Sequence, residues 1–203
     1  DTVTGNSEVN TLNGENGNDI LVGNEGDDIL SGGSDNDTLN GGEGSDTAVF
    51  SNQDNQISLS ITTSQNTGDG NDTLTSIENI NAGGGDDTVS GNSEANTLSG
   101  EEGADTIFGK SGNDTLNGGD GNDIIFGDAG DDQLNGGGGN DTLIGKNGND
   151  TLDGGNGNDF LNGGSGNDSM SGGNGNDTYV VDSASDTVTE NPGEGTDTIR
   201  SSV

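Results

Sequence analysis

The chain has 203 residues, of which 22% are hydrophobic and 42 are glycine, and its 38 acidic residues face 3 basic ones, giving a formal net charge of -35. A chain this acidic repels phosphates, which excludes nucleic-acid binding, and its low hydrophobicity is typical of disorder. Without Cys or His it has no disulfides, no thiolate or imidazole zinc site, and no imidazole base for catalysis.

Residues 1–49 form a first block of about five nonapeptide repeats. Numbered from its first glycine, a typical unit has Gly at positions one and four, Asp at six and an apolar residue at eight. The apolar position holds Leu12, Leu21, Leu30, Leu39 and Ala48. A short fixed period of this kind indicates a solenoid, in which each repeat stacks on another.

Residues 50–81 join this block to a second one. Within the joint, Ile57, Leu59 and Ile61 alternate with polar residues, which predicts a half-buried strand through all three. The stretch TGDGNDTLTSIENIN at 67–81 leads back into the repeats. The joint is therefore predicted to contain a strand pair.

Residues 82–180 form the main block of eleven nonapeptides, and its apolar position holds Val89, Leu98, Ile107, Leu116, Ile125, Leu134, Leu143, Leu152, Leu161, Met170 and Tyr179. Residues 181–203 form a tail whose GEGTDTIRSSV resembles the return segment of the joint. The opening DTVTGNSEVNTLNG likewise mirrors DTVSGNSEANTLSG at 87–100. The chain is therefore predicted to be an excerpt of a longer repetitive protein.

Each unit divides into a turn and a strand. Gly-x-x-Gly-x-Asp is not helix interior, because two glycines per turn cost roughly 2 kcal/mol relative to alanine, whereas glycine tolerates turn conformations. The three residues that follow, such as Thr142, Leu143 and Ile144, favour a short strand whose middle side chain points inward. The predicted fold is all-β, a parallel β-solenoid with one thin core.

Side-chain types recur every eighteen residues, which indicates two nonapeptide units per coil. Alternate units hold Phe108, Phe126 and Ile144 at position nine, and Lys110, Asp128 and Lys146 at position two. An eighteen-residue coil stacks each set on one edge and places the aspartate between two lysines. The lysines are predicted to balance surface charge, and the phenylalanines to pack against a neighbouring domain or tail.

The same stacking places the position-six aspartates of alternate units about 4.8 Å apart. Ionised carboxylates at that spacing repel one another, and 3 basic residues cannot neutralise them. Calcium can, since it takes about six to eight oxygen ligands from carboxylates and backbone carbonyls. Glycine lacks a Cβ, so the turn can aim its carbonyls inward. The sequence therefore predicts several calcium ions in the turns and folding coupled to their binding.

The unit resembles the RTX, or hemolysin-type, calcium-binding repeat G-G-x-G-x-D-x-U-x, which is matched at every Gly and Asp position by the units that begin at Gly41, Gly118, Gly136, Gly154, Gly163 and Gly172. The resemblance implies a parallel β-roll with calcium between adjacent turns on each edge. It also implies a bacterial protein that leaves the cell through a type I secretion apparatus and folds in calcium-rich surroundings outside it. The chain would then be a structural and secretion module, attached to other domains of a larger exported protein.

Carried onto this chain, the resemblance assigns calcium to carboxylates and to turn glycines. The predicted carboxylate ligands are Asp19, Asp28, Asp37, Asp46, Asp87, Asp105, Asp114, Asp123, Asp132, Asp141, Asp150, Asp159, Asp168 and Asp177. The predicted backbone ligands are Gly118, Gly121, Gly127, Gly130, Gly136, Gly139, Gly145, Gly148, Gly154, Gly157, Gly163, Gly166, Gly172 and Gly175. From Asp105 onward, alternate aspartates pair along one edge and the rest along the other.

Some units depart from the pattern. Asn10 and Asn96 replace the ligand aspartate, and Glu8 and Glu94 replace the second turn glycine, so these units are predicted to bind weakly or to cap the stack. Asp35 also stands where position four is otherwise glycine, which weakens the expected site beside it.

Two other functions have some support from the sequence. Outward threonines at position seven would suit a calcium-dependent adhesin or an ice-binding surface. They form one row of Thr97, Thr115 and Thr151, which Gln133 interrupts, and a second row of Thr88, Thr106, Thr142 and Thr178, which Ile124 and Phe160 interrupt. The chain could also be the repeat module of a polysaccharide-modifying enzyme, although no catalytic residue is predicted within it. No apolar run exceeds three residues, so no membrane span is predicted.

Overall fold

The computed structural model describes residues 1–202, and Val203, the last residue of the predicted tail, lies outside this range. Residues 1–202 form 23 strands and no helix. The first ten strands are β1 (Thr2–Thr4), β2 (Thr11–Asn13), β3 (Ile20–Glu25), β4 (Ile29–Ser31), β5 (Thr38–Glu43), β6 (Thr47–Val49), β7 (Gln56–Ser58), β8 (Gln65–Asn66), β9 (Asn71–Thr75) and β10 (Asn79–Asn81). The others are β11 (Thr88–Ser90), β12 (Thr97–Glu102), β13 (Thr106–Ser111), β14 (Thr115–Asp120), β15 (Ile124–Ala129), β16 (Gln133–Gly138), β17 (Thr142–Asn147), β18 (Thr151–Asn156), β19 (Phe160–Ser165), β20 (Ser169–Asn174), β21 (Thr178–Val181), β22 (Thr187–Thr189) and β23 (Thr198–Ser201).

The strands form the two walls of a solenoid. One wall is a single sheet in the order β2-β4-β6-β10-β12-β14-β16-β18-β20-β22. The opposite wall contains two sheets, β1-β3-β5-β9-β8 and β7-β11-β13-β15-β17-β19-β21-β23. Neighbouring strands within residues 1–202 are parallel, except that β8 runs antiparallel to β9. The chain is thus an all-β parallel solenoid of about 11 turns.

Strand register confirms the eighteen-residue coil. Ile107 in β13 pairs with Ile125 in β15, which in turn pairs with Leu143 in β17. The predicted aromatic row also forms, because the rings of Phe108 and Phe126 stack with centroids 5.1 Å apart and an interplanar angle of 8°. Two nonapeptide units therefore make one coil, as the recurrence at position nine and position two predicts.

The lysines of this wall make specific contacts in addition to balancing surface charge. Asp128 lies between Lys110 and Lys146 in the register, and Lys146 forms an ion pair with it. The Nζ atoms of Lys110 and Lys146 lie 4.8 Å from the ring centroids of Phe108 and Phe126, respectively. Such cation–π contacts contribute about 0.5–1 kcal/mol at exposed sites. The two phenylalanines therefore have partners within the coils themselves.

In the main block the strands β12 to β20 each have six residues, where three were predicted. β14 runs from position seven of one unit to position three of the next, and only residues 121–123 remain as a turn. The prediction that the whole Gly-x-x-Gly-x-Asp half is a turn is therefore wrong. These glycines join the strands because each pairs with its equivalent in the neighbouring coil, as Gly119 does with Gly137. This regular stacking overrides the low strand propensity of glycine.

The core is a single file of apolar side chains along each wall. All 16 position-eight residues of the two blocks are buried, as is Leu74, which holds this position in the joint, and none is more than 7% exposed. Phe50, Ile57, Ile77, Ile80 and Ala82 continue the core through the joint. Burial of one such side chain contributes about 1.5–3 kcal/mol, so the core fixes the stacking of the turns.

The joint inserts an additional strand into one wall. β6 pairs directly with β10, so the ten-stranded wall passes through the joint without a break. On the other wall β9 pairs with β5, whereas β7 pairs with β11 and belongs to a different sheet from β9. The strand predicted through Ile61 is wrong beyond Ser58, because the chain turns at residues 59–60 and leaves Ile61 42% exposed.

Candidate metal centre

Position-six aspartates link neighbouring coils through hydrogen bonds. The backbone N–H of Asp105 donates to Oδ1 of Asp123 over 2.8 Å, and the N–H of Asp123 donates to Oδ1 of Asp141 over 2.8 Å. The same contact recurs on both edges of the main block, at 2.8–2.9 Å. We refer to these two rows of linked aspartates as the carboxylate ladders.

The second oxygen of each ladder carboxylate is buried without a partner. Oδ2 makes no hydrogen bond in any of the 14 aspartates predicted as ligands, and none of these residues is more than 3% exposed. An ionised carboxylate in such a place has lost its water shell, at a cost of several kcal/mol unless an opposite charge replaces the water. The ladders are therefore arranged to receive a cation or a proton.

Glycine at position one allows the unpartnered oxygen to lie close against the backbone of the next coil half. A Cβ on Gly118 would stand 2.2 Å from Oδ2 of Asp123 and 2.6 Å from the carbonyl oxygen of Gly136, one coil further along. These two oxygens therefore converge beside the glycine, where any side chain would clash with them, and we call this place the carboxylate pocket. In each of the seven predicted position-one glycines from Gly118 to Gly172, Oδ2 of the aspartate lies 2.2–2.5 Å from the Cβ position.

Glycine at position four allows the turns to stack closely. Gly121 has a φ of +150°, and a Cβ there would stand 1.5 Å from the carbonyl oxygen of Gly103 in the preceding coil. The seven predicted position-four glycines from Gly121 to Gly175 have φ between 131° and 150°. A side chain at this position would strain the backbone and separate the coils. The carbonyl before each such glycine faces the neighbouring coil.

Burial raises the pKa of the ladder carboxyl groups in the main block. At Asp123 the pKa is raised to about 7, mainly by desolvation. The hydrogen bond from the N–H of Asp105 lowers the pKa, and the charges of Asp141 and Asp105 raise it further. Burial likewise raises the pKa to about 6 at Asp87, Asp114, Asp150 and Asp159. The folded chain therefore takes up protons near neutral pH when no cation neutralises the ladders.

The donor set of the pockets fits calcium. A carboxylate oxygen and a backbone carbonyl oxygen meet in the pockets beside Gly118, Gly127, Gly136, Gly145 and Gly154, and the sequence has no Cys or His. Oxygen-only sites select magnesium, calcium or manganese over zinc and copper. Backbone carbonyls in an irregular turn favour calcium, because magnesium demands near-ideal octahedral geometry. Asp and Gly would thus supply the charge and the carbonyl ligands of a calcium site.

Units with asparagine at position six satisfy their own polar atoms. Oδ1 of Asn96 accepts the N–H of Asn92 over 2.9 Å, and its Nδ2 donates to the carbonyl of Glu78 over 2.9 Å. Oδ1 of Asn10 likewise accepts the N–H of Asn6 over 2.7 Å. These contacts favour the prediction that both units bind calcium weakly. The prediction of a cap is wrong for the unit of Asn96, because its strand β12 lies between β10 and β14.

Asp72 and Glu78 belong to the hydrogen-bonded rows although the sequence prediction omits them. Asp37 donates its N–H to Oδ1 of Asp72 over 2.7 Å, and the Thr67 hydroxyl donates to Oδ2 of Asp72. Asp46 donates its N–H to Oε2 of Glu78 over 2.9 Å. The repeat pattern contains Asp72 at position six of a unit that begins with threonine in place of glycine. Glu78 has no such signal, because it lies 32 residues after Asp46 and breaks the period.

A parallel β-roll with carboxylate-lined turns is the class of repeat protein that the fold and the pockets define. The family model of the RTX calcium-binding nonapeptide repeat, which spans four copies, matches residues 1–30, 13–48, 22–57, 81–116, 108–143 and 144–179. The chain belongs to this family of calcium-binding repeats. No curated protein matches the chain. Within residues 1–202, no helix has the length and apolar character that a membrane span requires.

Proposed function

We propose that the chain is an RTX module that stays unfolded without calcium and folds when calcium binds outside the cell. The 14 buried carboxylate oxygens without a hydrogen bond carry this proposal. In the unfolded chain water surrounds these groups, whereas the fold removes the water and brings like charges together. Calcium supplies the missing partner, so binding and folding become a single event.

The charge balance of the chain supports this coupling. With a net charge of -35, residues 1–202 contain two ion pairs, one at the N-terminal amine and one between Lys146 and Asp128. Protein side chains therefore leave nearly all of the acidic charge uncompensated. Each calcium ion bound with micromolar to millimolar affinity would contribute roughly 4–8 kcal/mol.

The same coupling suits export from a bacterium. A calcium-poor cytosol would leave the chain unfolded and able to pass through a type I secretion apparatus, and a calcium-rich exterior would fold it. The module would then act as a structural and secretion element beside other domains of a longer extracellular protein. Any catalytic activity would belong to those domains, because the repeat family is a structural one.

Far-UV circular dichroism tests the proposal directly. In a chelator at neutral pH the chain should give a coil spectrum, and millimolar calcium should produce a strand spectrum. Magnesium and sodium at the same ionic strength should substitute poorly, which separates site binding from general screening of charge. A chain that keeps its strand signal after calcium is removed at neutral pH would contradict calcium-coupled folding.

A further inference from the structure

We propose that the C-terminal end of one carboxylate ladder carries a further divalent-cation site, formed by Asp177, Glu190 and Asp197. Two of these residues lie outside the nonapeptide repeats, so the repeat pattern does not contain the site. The inference rests on the proposed calcium binding of the ladders, and it assigns their terminal pocket a composition different from that of the pockets within the stack.

Asp177 provides a buried carboxylate oxygen that has no partner. Its Oδ1 accepts the N–H of Asp159 over 2.8 Å, as in every other step of the ladder. Its Oδ2 makes no hydrogen bond, and the residue is 1% exposed. A Cβ on Gly172 would stand 2.2 Å from this Oδ2 and 2.4 Å from the hydroxyl oxygen of Tyr179, so both oxygens face the terminal pocket.

Glu190 occupies the register position of a pocket glycine. Within the stack, the pocket beside Gly118 contains the carbonyl of Gly136, eighteen residues later. Eighteen residues after Gly172 the chain has Glu190, and its Oε1 accepts the hydroxyl proton of Tyr179. The terminal pocket thus contains side-chain oxygens, of Tyr179 and Glu190, at the place where the pocket beside Gly118 contains a backbone carbonyl oxygen.

Asp197 continues the ladder beyond the last repeat. Its Oδ1 accepts the N–H of Asp177 over 3.0 Å, although the two residues are 20 apart in sequence. One carboxylate oxygen from each of Asp177, Glu190 and Asp197 lies within 4.8 Å of the other two. The extra two residues in this last coil therefore bring three acidic groups to one place.

Three carboxylates at this distance need a positive charge between them. Neither ion pair of residues 1–202 involves them. Hard oxygen donors select calcium or a trivalent lanthanide, and calcium affinity rises with the number of charged ligands. The terminal site therefore binds more tightly than the inner pockets.

Tyr179 allows this site to be observed separately from the others. It is the single tyrosine of a chain without tryptophan, so terbium luminescence excited through tyrosine reports ions close to its ring. Wild-type protein in millimolar calcium should show sensitised luminescence when terbium replaces the ion. Glu190→Gln should weaken terbium binding at this site at least tenfold and lower the bound calcium by one ion in equilibrium dialysis.

Glu194→Gln is the matched control, because it removes the same charge from the same segment while its side chain bonds only to Asn191. Because the charge of Glu194 also acts on Asp177, this variant measures the general electrostatic effect, and it should weaken terbium binding far less than Glu190→Gln. Asp197→Asn provides a second test of the cluster, with circular dichroism verifying that each variant folds in saturating calcium. Wild-type affinity in both Glu190→Gln and Asp197→Asn would overturn the terminal site. Calcium-dependent folding would still stand in that case, since the circular dichroism of the wild type tests it independently.

Discussion

Asp123 opposes folding in the absence of calcium and should support it in the presence of calcium. Burial raises its pKa from the ordinary value of 3.8 to about 7, so the folded chain favours the protonated carboxyl group. The stability gained from protonation is complete below the ordinary pKa and is lost as the pH rises through about 7. Above that pH the ionised carboxylate costs the calcium-free fold roughly 4 kcal/mol, because one pKa unit corresponds to about 1.36 kcal/mol.

Asp123→Asn should therefore have effects of opposite sign in the two conditions. The amide keeps an acceptor for the N–H of Asp105 and places a donor in the pocket that contains the carbonyl of Gly136. In calcium-free buffer near pH 8 the variant should be more stable than the wild type, by up to roughly 4 kcal/mol. In calcium it should be less stable and bind at least one ion fewer, since it has lost a charged ligand worth part of roughly 4–8 kcal/mol per ion.

Circular dichroism measures both effects through two midpoints. The midpoint of acid-induced folding in calcium-free buffer should move to higher pH, and the calcium midpoint near pH 8 should move to higher concentration. Asp120→Asn removes the same charge from an exposed residue three positions earlier and should change neither by a comparable amount. An acid midpoint that moves to lower pH, or a calcium midpoint that moves to lower concentration, would refute the reasoning, because the substitution would then change the stability of the two states in the same direction.

Three further predictions follow from the ladders and the walls. First, acid should replace calcium in part. In metal-free buffer, lowering the pH from about 8 to about 5 should increase the strand signal in circular dichroism, because the pKa values of the ladder carboxyl groups are raised in the folded state. The signal should be lost again as the pH rises through about 6 to 7. Second, the effects of Phe108→Ala and Phe126→Ala on the free energy of unfolding should couple by about 0.5–1.5 kcal/mol in a double-mutant cycle at fixed calcium. The effects of Phe108→Ala and Asn117→Ala should be additive, because these two residues lie on opposite walls. The reverse result would contradict the observed register. Asn96→Asp should add one bound calcium in equilibrium dialysis, because the space beside Gly91 already contains the carbonyl oxygen of Gly109; unchanged stoichiometry would show that an aspartate and a glycine are not sufficient to make a pocket.

The periodic part of this molecule could be predicted because each residue type has one physical task there. Recurrence of Phe108 and Phe126 at eighteen residues predicts the two-unit coil, and the apolar position eight predicts the core. Strand length could not be predicted in the same way, since Gly119 has low strand propensity by itself. It becomes part of a strand only because an equivalent glycine stacks on it in the next coil.

Features outside the period could not be predicted from spacing. Ile57 has the alternation of an ordinary strand, but the sequence does not reveal that β7 pairs forward with β11 while β9 takes the place beside β5. Glu190 carries no repeat signature, and Asp197 has the Gly and Asp spacing of the return segment but lies 20 residues after Asp177, where the period is eighteen. Both reach the ladder only through the path of the last coil. In both cases the position of a residue depends on which strand pairs with which, and that choice depends on contacts distant in sequence.

The extra strand at the joint has a mechanical consequence. On one wall the pairing of strands is interrupted between β9 and β7, and on the other the β6–β10 step contains three paired residues, where each step from β12–β14 to β18–β20 contains five. A pulling force along the stack axis is shared by two continuous sheets everywhere in the main block. At the joint it is carried by one sheet, through the short β6–β10 step. Under tension, the stack should therefore part between residues 49 and 79 at a lower force than anywhere in the main block, which would leave the eleven-unit block intact as one load-bearing rod.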